Sequence, residues 1–494
     1  MKHEDLVATH ASYKANQADW GFHLNSYLGG TDYQAGEYLL KYIQEDGKEY
    51  AKRLSMTPMD NHCKNVVSIY SSFVWRIAPT RNLGALNEDQ AANAMLQDAD
   101  LDGRSFNAFM RDAQTWSDVY GHCWIMMDKP ESNAKTRAEE LAQEVRPYLN
   151  LITPENVLDW TYERAPSGRY VLTYMKVRES QHGDTLVIRE WTPMEIVTYR
   201  TDGKTVTVLG EMTNPLGMIP AVCLYGQRSP VKGIGVSSIC DIAQMQKAIY
   251  NELSEIEQII RISNHPSLVK SASTDASAGA GGIITVEDDE MMKPYLLQPS
   301  AASLTSIMAS IDSKTEAINR MSHMGAVRGS EALTMSGVAL QSEFQLLNAK
   351  LSEKADLLEL AEEQLWDLFC MWQEVTNDIA IDYPDSFDLR DYATELEFLQ
   401  RARASGVSSK TFIQGVDKAI AELVLADKDL VQAVSEIEQD DKQLGEFESG
   451  QIYKYHIDSG VVTKNEVRSD LGLDPVSGGD SAVAPTNPQT GQPE

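Results

Sequence analysis

Carboxylates are the first residues in this chain whose type and spacing could do chemistry. Glu287, Asp288, Asp289 and Glu290 stand in a row, and clustered carboxylates suit hard divalent cations. A metal-dependent nuclease could draw on Glu287, Asp288 and Asp289. Two-metal sites, however, take their carboxylates from separate strands or helices, and a run of four adjacent acids imitates them poorly. A solvated loop, or a face that meets a basic partner, is the simpler reading. The segment Gly233-Ile234-Gly235-Val236-Ser237-Ser238 precedes a helical pattern, where backbone N–H groups can hold an anion. It lacks the third glycine and the following βαβ unit of a dinucleotide site, which leaves a strand-to-helix turn with Ser237 as its cap.

The remaining reactive residue types form no constellation. There is no GxxxxGK[ST], HExxH, GxSxG or EF-hand loop, so the strong catalytic and nucleotide motifs are absent. His62 beside Cys63 and His122 beside Cys123 would diverge on a strand or a helix, and the nine histidines do not cluster. The five cysteines, Cys63, Cys123, Cys223, Cys240 and Cys370, are scattered and odd in number. They encode neither a disulfide framework nor a zinc ribbon and point to reduced, intracellular folding. No catalytic residue, cofactor site or metal site is assigned from the sequence. Met321, Met324 and Met335 flank a glycine-rich break that also holds Arg328, between Gly325 and Gly329. Alone, these residues read as core packing and a loop charge.

Composition bounds the partners. The chain has 494 residues, with 73 Asp+Glu against 43 Lys+Arg and a net charge of −30. At about 150 residues per domain this suggests about three units. Affinity for nucleic acid comes mainly from Lys and Arg at phosphates, so such acidity excludes a protein that coats DNA or RNA. It leaves open a channel through which DNA slides. The amino terminus has no signal-peptide core, and no 18-residue uncharged apolar run occurs, so a protein neither exported nor membrane-spanning is expected.

The elements that must position these residues follow from periodicity. Residues 13 to about 128 read as mainly helical, with apolar spacing through Asn65–Tyr70 and Phe106–Met110 that ends near Gly121. Residues 149–225 contain short β-branched and aromatic segments separated by Ser-Gly, His-Gly-Asp and Asp-Gly, which predicts an antiparallel meander of about five strands. A helix of about 28 residues should follow Gly235, carrying Ile239, Ile242, Ile249, Leu253, Ile256 and Ile260, and stop near His265-Pro266. A second should run from about Ala301 along Leu304, Ile307, Met308, Ile311, Ile318 and Met321. A third, from Val338 to about Asp378, has a heptad seam of Phe344, Leu351, Leu358, Leu365 and Trp372. Residues 337–378 hold nine acidic and two basic residues, so much of the polar face is negative. Residues 395–475 are again helical, and 476–494 should be a disordered tail.

Two amphipathic helices around a small β-rich insert, then a glycine-rich loop and a very long helix, form a rod with a small head. Such a rod cannot bury its own stripes in isolation. Copies should pack side by side, and a heterologous contact that closes makes a ring. Over nearly its whole length the chain resembles the portal proteins of tailed bacteriophages. The resemblance is carried by Trp20, Gly36–Leu40, Asn65-Val66-Val67, Tyr120–Cys123, Thr153–Val157 and Asn214–Pro220. It is strongest in Ser459–Arg468 followed by Leu471–Pro475 and Gly478-Gly479-Asp480, in which a helix opened by Thr-x-Asn-Glu-x-Arg is closed by Gly-Leu-x-Pro.

The resemblance implies an α+β, helix-rich portal-type subunit with wing, stem, clip and crown, assembling into a ring with a central channel. The wing would be residues 1–235, stem helices 236–263 and 301–322, the clip 264–300 and the tunnel loop 323–337. The long wing helix and its connection would be 338–394 and the crown 395–475. It further implies a twelve-subunit ring at one capsid vertex of the virion, passing double-stranded DNA without reading its sequence. Expected partners are the terminase large subunit, a head-tail adaptor and the major capsid protein, with a scaffolding protein a further candidate. There would be no membrane, no enzymatic activity and no cofactor. Met324, Arg328, Glu331, Met335, Lys314 and Arg320 would face the channel or tunnel loop. Glu287, Asp288, Asp289, Glu290 and Lys293 would belong to the clip surface that meets terminase or adaptor. Two other classes compete: the metal-dependent nuclease above, and a coiled-coil ring scaffold with no DNA role, built on the 344–372 seam.

Overall fold

The computed structural model describes residues 2–130, 134, 136–264, 267–269, 295–297, 302–325, 337–376, 378–387, 392–404, 409–424, 463–470, 474, 476, 477 and 480. The chain divides into two compact units, Met1–Asp388 and Leu389–Glu494. The architecture is α+β and helix-rich, as the sequence pattern predicts.

The first half of unit 1 is a helical layer: α1 (His3–Leu6), α2 (Ala11–Leu28), α3 (Gly30–Ala35), α4 (Gly47–Met56), α5 (His62–Val74), α6 (Gln90–Gln97) and α7 (Phe106–Tyr120). Local chemistry sets their starts. Asp46, Asn61, Asp89 and Ser105 each accept a backbone N–H of the first turn of α4, α5, α6 and α7, which satisfies donors a helix start leaves unpaired. α7 stops at Gly121, whose φ of 96° is left-handed.

The predicted meander is two sheets rather than one. β4 (Val157–Arg164), β5 (Tyr170–His182), β6 (Thr185–Trp191), β7 (Glu195–Thr201) and β8 (Val206–Thr213) form an antiparallel five-stranded sheet in chain order. The outer segments, β3 (Tyr148–Ile152) and β9 (Ala221–Tyr225), instead flank β2 (His122–Asp128), with Ile125 opposite Leu151 on one side and Val222 on the other. β2 is buried from His122 to Met127. An apolar strand covered on both faces also needs both edges paired, and β3 and β9 supply them. The short helix α8 (Arg137–Ala142) lies between β2 and β3 in sequence.

Three helices complete unit 1: α9 (Cys240–Asn264), α10 (Ala302–Met321) and α11 (Gly337–Gln373). At 37 residues α11 spans about 55 Å. Its seam holds: Leu351, Leu358 and Leu365 are buried, together with Leu347, Ala361 and Leu368, while Phe344 and Trp372 are half-buried. The seam packs on β2, β9, α5 and β12 (Ala380–Asp382) of the same chain. A coiled-coil scaffold would need that seam free for a partner helix. β12 itself pairs with β1 (Thr80–Asn82), so the chain beyond Gln373 turns back into a strand where the sequence pattern had extended the helix to Asp378.

Within unit 2, α12 (Tyr392–Arg403) packs on α13 (Lys410–Val424), and Arg403 pairs with Asp417 at 2.9 Å. The short α14 (Lys464–Asp470) explains why its opening motif has the residues it has. Thr463 and Glu466 form a capping box, the Thr463 hydroxyl accepting the Glu466 N–H at 3.2 Å and the Glu466 carboxylate accepting the Thr463 N–H at 2.7 Å. Asn465 exchanges hydrogen bonds with the backbone of Val476, and Arg468 Nε donates to the Asp474 carbonyl at 2.6 Å. Each polar residue of Thr-x-Asn-Glu-x-Arg thus ties the helix or the chain that follows it. Leu471, Gly472, Leu473, Pro475, Gly478 and Gly479 lie outside the described residues, as does most of the tail from Val476 to Glu494.

Candidate channel helices and their anchorage

α9 and α10 pack against each other, and the segments beyond their joined ends, β10 (Ser267–Val269) and β11 (Tyr295–Leu297), pair antiparallel. The two helices therefore form a hairpin within unit 1. Its base is held by polar side chains that apolar periodicity does not reveal.

One stripe of α9 is sealed: Ala243, Gln246, Tyr250 and Ser254 are all buried, at the three- and four-residue steps of a helix face. Gln246 accepts the Cys63 N–H at 2.9 Å and donates to the Ser26 carbonyl at 3.0 Å, joining α9 to α5 and α2. Asn251 accepts the Leu40 N–H at 2.7 Å and donates to the Tyr38 carbonyl at 3.1 Å. Arg53, buried in α4, donates to Ser254 Oγ at 3.0 Å, forms a 2.7 Å ion pair with Glu45 and lies 4.1 Å from the Tyr42 ring centroid. The hydrogen bonds from Arg53 hold the Glu45 carboxyl below the usual carboxylate range. Burial, then the 2.5 Å hydrogen bond to Glu255, pushes the Tyr42 hydroxyl up to about 12.

The start of α9 is fixed by a buried ion pair. Lys354 of α11 pairs with Asp118 of α7, both nearly inaccessible. The Ser238 hydroxyl lies 2.6 Å from Asp118 Oδ1 and 2.8 Å from Lys354 Nζ. Ser237 Oγ accepts the Ile239 N–H at 3.2 Å and donates toward the carbonyls of Val119 at 2.7 Å and Asp118 at 3.1 Å. Ser237 thus closes the turn that leads into α9 rather than capping the first helical turn itself, and the anion beside this helix start is the chain's own Asp118. Gly235 and Gly121 make the crossing possible: a Cβ on Gly235 would lie 1.9 Å from the Gly121 carbonyl oxygen. His122 is buried beside this crossing and its Nδ1 accepts the Gly235 N–H at 3.3 Å. Burial pushes its imidazole down to about 3, so it is neutral at physiological pH.

The return of α10 is anchored by Ile318, buried in the core, and by the Ser322 carbonyl, which accepts the Tyr70 hydroxyl at 2.8 Å. Lys314 donates to Glu252 at 2.6 Å and to Ser310 at 2.6 Å. Its charge is spent between the two hairpin helices rather than free for phosphate. Arg320 is exposed in the last turn of α10. Met324 corrects the channel-facing expectation: its side chain is fully buried in the hydrophobic core, where its N–H closes the end of α10 onto the Asn319 carbonyl at 2.8 Å. Arg328, Glu331 and Met335, and Glu287, Asp288, Asp289, Glu290 and Lys293, lie outside the described residues. Met308, Asp312 and Glu316 are exposed on the outer face of α10.

Asp118, Lys354, Gln246, Asn251, Ser254 and Arg53 carry the anchorage, and none was singled out from the sequence. Lys354 left one signal. It stands three residues after Leu351 and four before Leu358 on the buried stripe, where a lysine requires a buried partner. Among the described residues no group of three or more His, Cys, Asp or Glu is placed to hold a metal ion, and no helix is long and apolar enough to cross a membrane.

No family model matches the chain, and no curated protein matches it. Among solved structures it is similar to a chain described as the neck of an empty GTA particle computed with C6 symmetry. The identity is 10% and the TM-score 0.39, over 79% of this chain and 98% of that one. A likeness this distant carries no weight about function.

Proposed function

We propose that this chain is a structural portal-type subunit that closes into a ring at one capsid vertex of a tailed-phage-like virion. The ring would have twelve subunits, and double-stranded DNA would pass through its channel during packaging and ejection. The observation that carries this reading is the α9–α10 hairpin. It is anchored at its base by buried polar contacts, while its outer face keeps Met308, Asp312 and Glu316 exposed. A rod with one anchored face and one open face suits side-by-side packing of copies by a heterologous contact, which closes as a ring or runs on as a filament.

The residue-level resemblance to portal proteins, strongest at Thr463, Asn465, Glu466 and Arg468, favours the closed ring with a DNA role. Acidity suits a conduit, because each Lys or Arg contact to phosphate adds affinity that passing DNA must break. In this reading residues 264–300 form the clip, with Glu287–Glu290 and Lys293 toward terminase or adaptor. Residues 323–337, with Arg328, Glu331 and Met335, form the tunnel loop, and Arg320 is the described cation nearest to it in sequence. The subunit is a structural part and not an enzyme.

Electron microscopy of the purified chain, without DNA or metal, tests the reading. Rings of about twelve subunits with a central channel are the expected result. A monodisperse monomer that cuts DNA in the presence of magnesium would overturn it in favour of the nuclease.

A further inference from the structure

The wing contains a cavity whose charge runs against the rest of the chain. It has a volume of about 470 Å³ and lies between β4 and β5, β9, the loop that follows β9, and α11. Among the described residues its wall carries Arg169, Arg228 and Lys232 and no Asp or Glu, in a chain with 73 acidic residues against 43 basic ones. All three are exposed at the mouth of the cavity, and among the described residues none of them has a carboxylate partner.

The rest of the wall is aromatic and apolar. Lys232 Nζ lies 4.6 Å from the Tyr170 ring centroid, and the Arg228 guanidinium 5.8 Å from that of Tyr225. Tyr162 and Tyr225 form a polar-tipped inner wall with Cys223, whose thiol burial pushes up to about 12. Leu357 and Leu360 of α11 supply an apolar side. The cation-bearing loop is preorganised. Ser229 Oγ bonds the Val231 N–H at 3.1 Å and the Ile234 carbonyl at 2.7 Å, Trp160 Nε1 donates to the Lys232 carbonyl at 3.0 Å, and the Gly233 N–H donates to Tyr225 Oη at 3.1 Å. Gly233 has a φ of 78°, and a Cβ there would strike the Trp160 indole at 2.4 Å, so this seat admits only glycine.

We propose that this cavity binds a phosphate-bearing organic anion of mononucleotide size. Guanidinium groups match phosphate oxygens in bidentate geometry and lysine adds a point charge. The tyrosine rings and leucines give a planar apolar moiety a surface to lie on. The volume falls within the few hundred cubic ångströms typical of small-molecule sites. Phosphate alone would use the cationic rim and leave the apolar wall unused, so the organic part distinguishes this site from a simple anion patch.

Calorimetric titration of the purified full-length chain with ADP, and in parallel with inorganic pyrophosphate, tests the assignment. Saturable ADP binding is expected, tighter than that of pyrophosphate. It should weaken at least about tenfold in the Arg228→Gln/Lys232→Gln double variant, as loss of two charge-assisted contacts requires. Lys204→Gln, an exposed lysine on the distant β7–β8 turn, should leave it unchanged. Three results would overturn the proposal: no saturable ADP binding, equal loss in the Lys204 variant, or pyrophosphate binding as tightly as ADP. Preferential binding of a synthetic peptide of residues 284–293 would also overturn it, assigning the cavity to acidic peptide. Because the titration reads the isolated chain whether or not it forms rings, its outcome stands apart from the portal reading.

Discussion

Replacing Lys354 with methionine tests whether the α7–α9–α11 junction is held by charge or by packing. Methionine keeps most of the apolar stem while removing the ammonium, whose Nζ lies 5.1 Å from the Tyr70 ring centroid, so the cavity contribution is small. What it removes is the partner of a carboxylate that is almost wholly buried. The Ser238 hydroxyl then remains as the Oδ1 partner, and Asp118 Oδ2 has no hydrogen-bond partner. Breaking one side of a buried pair leaves an uncompensated charge and costs about 3–5 kcal/mol. Replacing both residues with apolar ones of similar volume is close to neutral. Lys354→Met and Asp118→Leu should therefore each be strongly destabilising, and the double variant should be less so than either. Urea unfolding followed by tryptophan emission would read this as a midpoint shift of about 1 M for each single variant. A Lys354→Met midpoint within experimental scatter of the parent, or single effects that simply add in the double variant, would refute the argument that this pair sets the start of α9.

Two further predictions concern the same junction. The His122 imidazole has its ordinary value near 6.5 in the unfolded chain and is pushed down to about 3 by burial. Its contribution to stability is therefore fully present above about pH 6.5 and is lost as pH falls toward 3, at about 1.4 kcal/mol per pH unit. Buried His23 is shifted in the same direction, again chiefly by burial. Urea midpoints measured between pH 7 and 5 should fall less steeply in His122→Gln than in the parent, and parallel curves would exclude the effect. Gly235→Ala should destabilise by more than about 2 kcal/mol, because the clash is with backbone and cannot be relieved by a rotamer change. Gly21→Ala in α2, where a Cβ meets nothing within 4 Å, should be neutral or gain up to about 1 kcal/mol by helix propensity. Thermal unfolding of the pair distinguishes the two cases.

Much of the local architecture was legible because it depends on period and composition. The α9, α10 and α11 boundaries fall close to the apolar patterns, and Leu351, Leu358 and Leu365 occupy the buried seam they imply. Ser237 closes the strand-to-helix turn expected there, an interaction between neighbours in sequence, although it sits ahead of the cap position of α9. The single meander was misread because sheet membership depends on which edge a strand finds. β3 and β9 alternate like the strands between them, yet the buried β2 claims both.

What the sequence alone determined is the α+β class, the hairpin of two helices around a small insert, the long buried seam and the strong acidity. These follow from interactions between residues a few positions apart and from composition. Only the tertiary structure decided that the seam is spent within one chain, that Met324 packs inward and Lys314 is paired, and that Asp118, Ser238 and Lys354 meet. The same holds for the assembly of Arg169, Arg228 and Lys232 around one cavity. The Asp118–Lys354 pair alone joins residues 236 positions apart. No local pattern specifies such pairs, because their energy arises only when separate elements exclude water together.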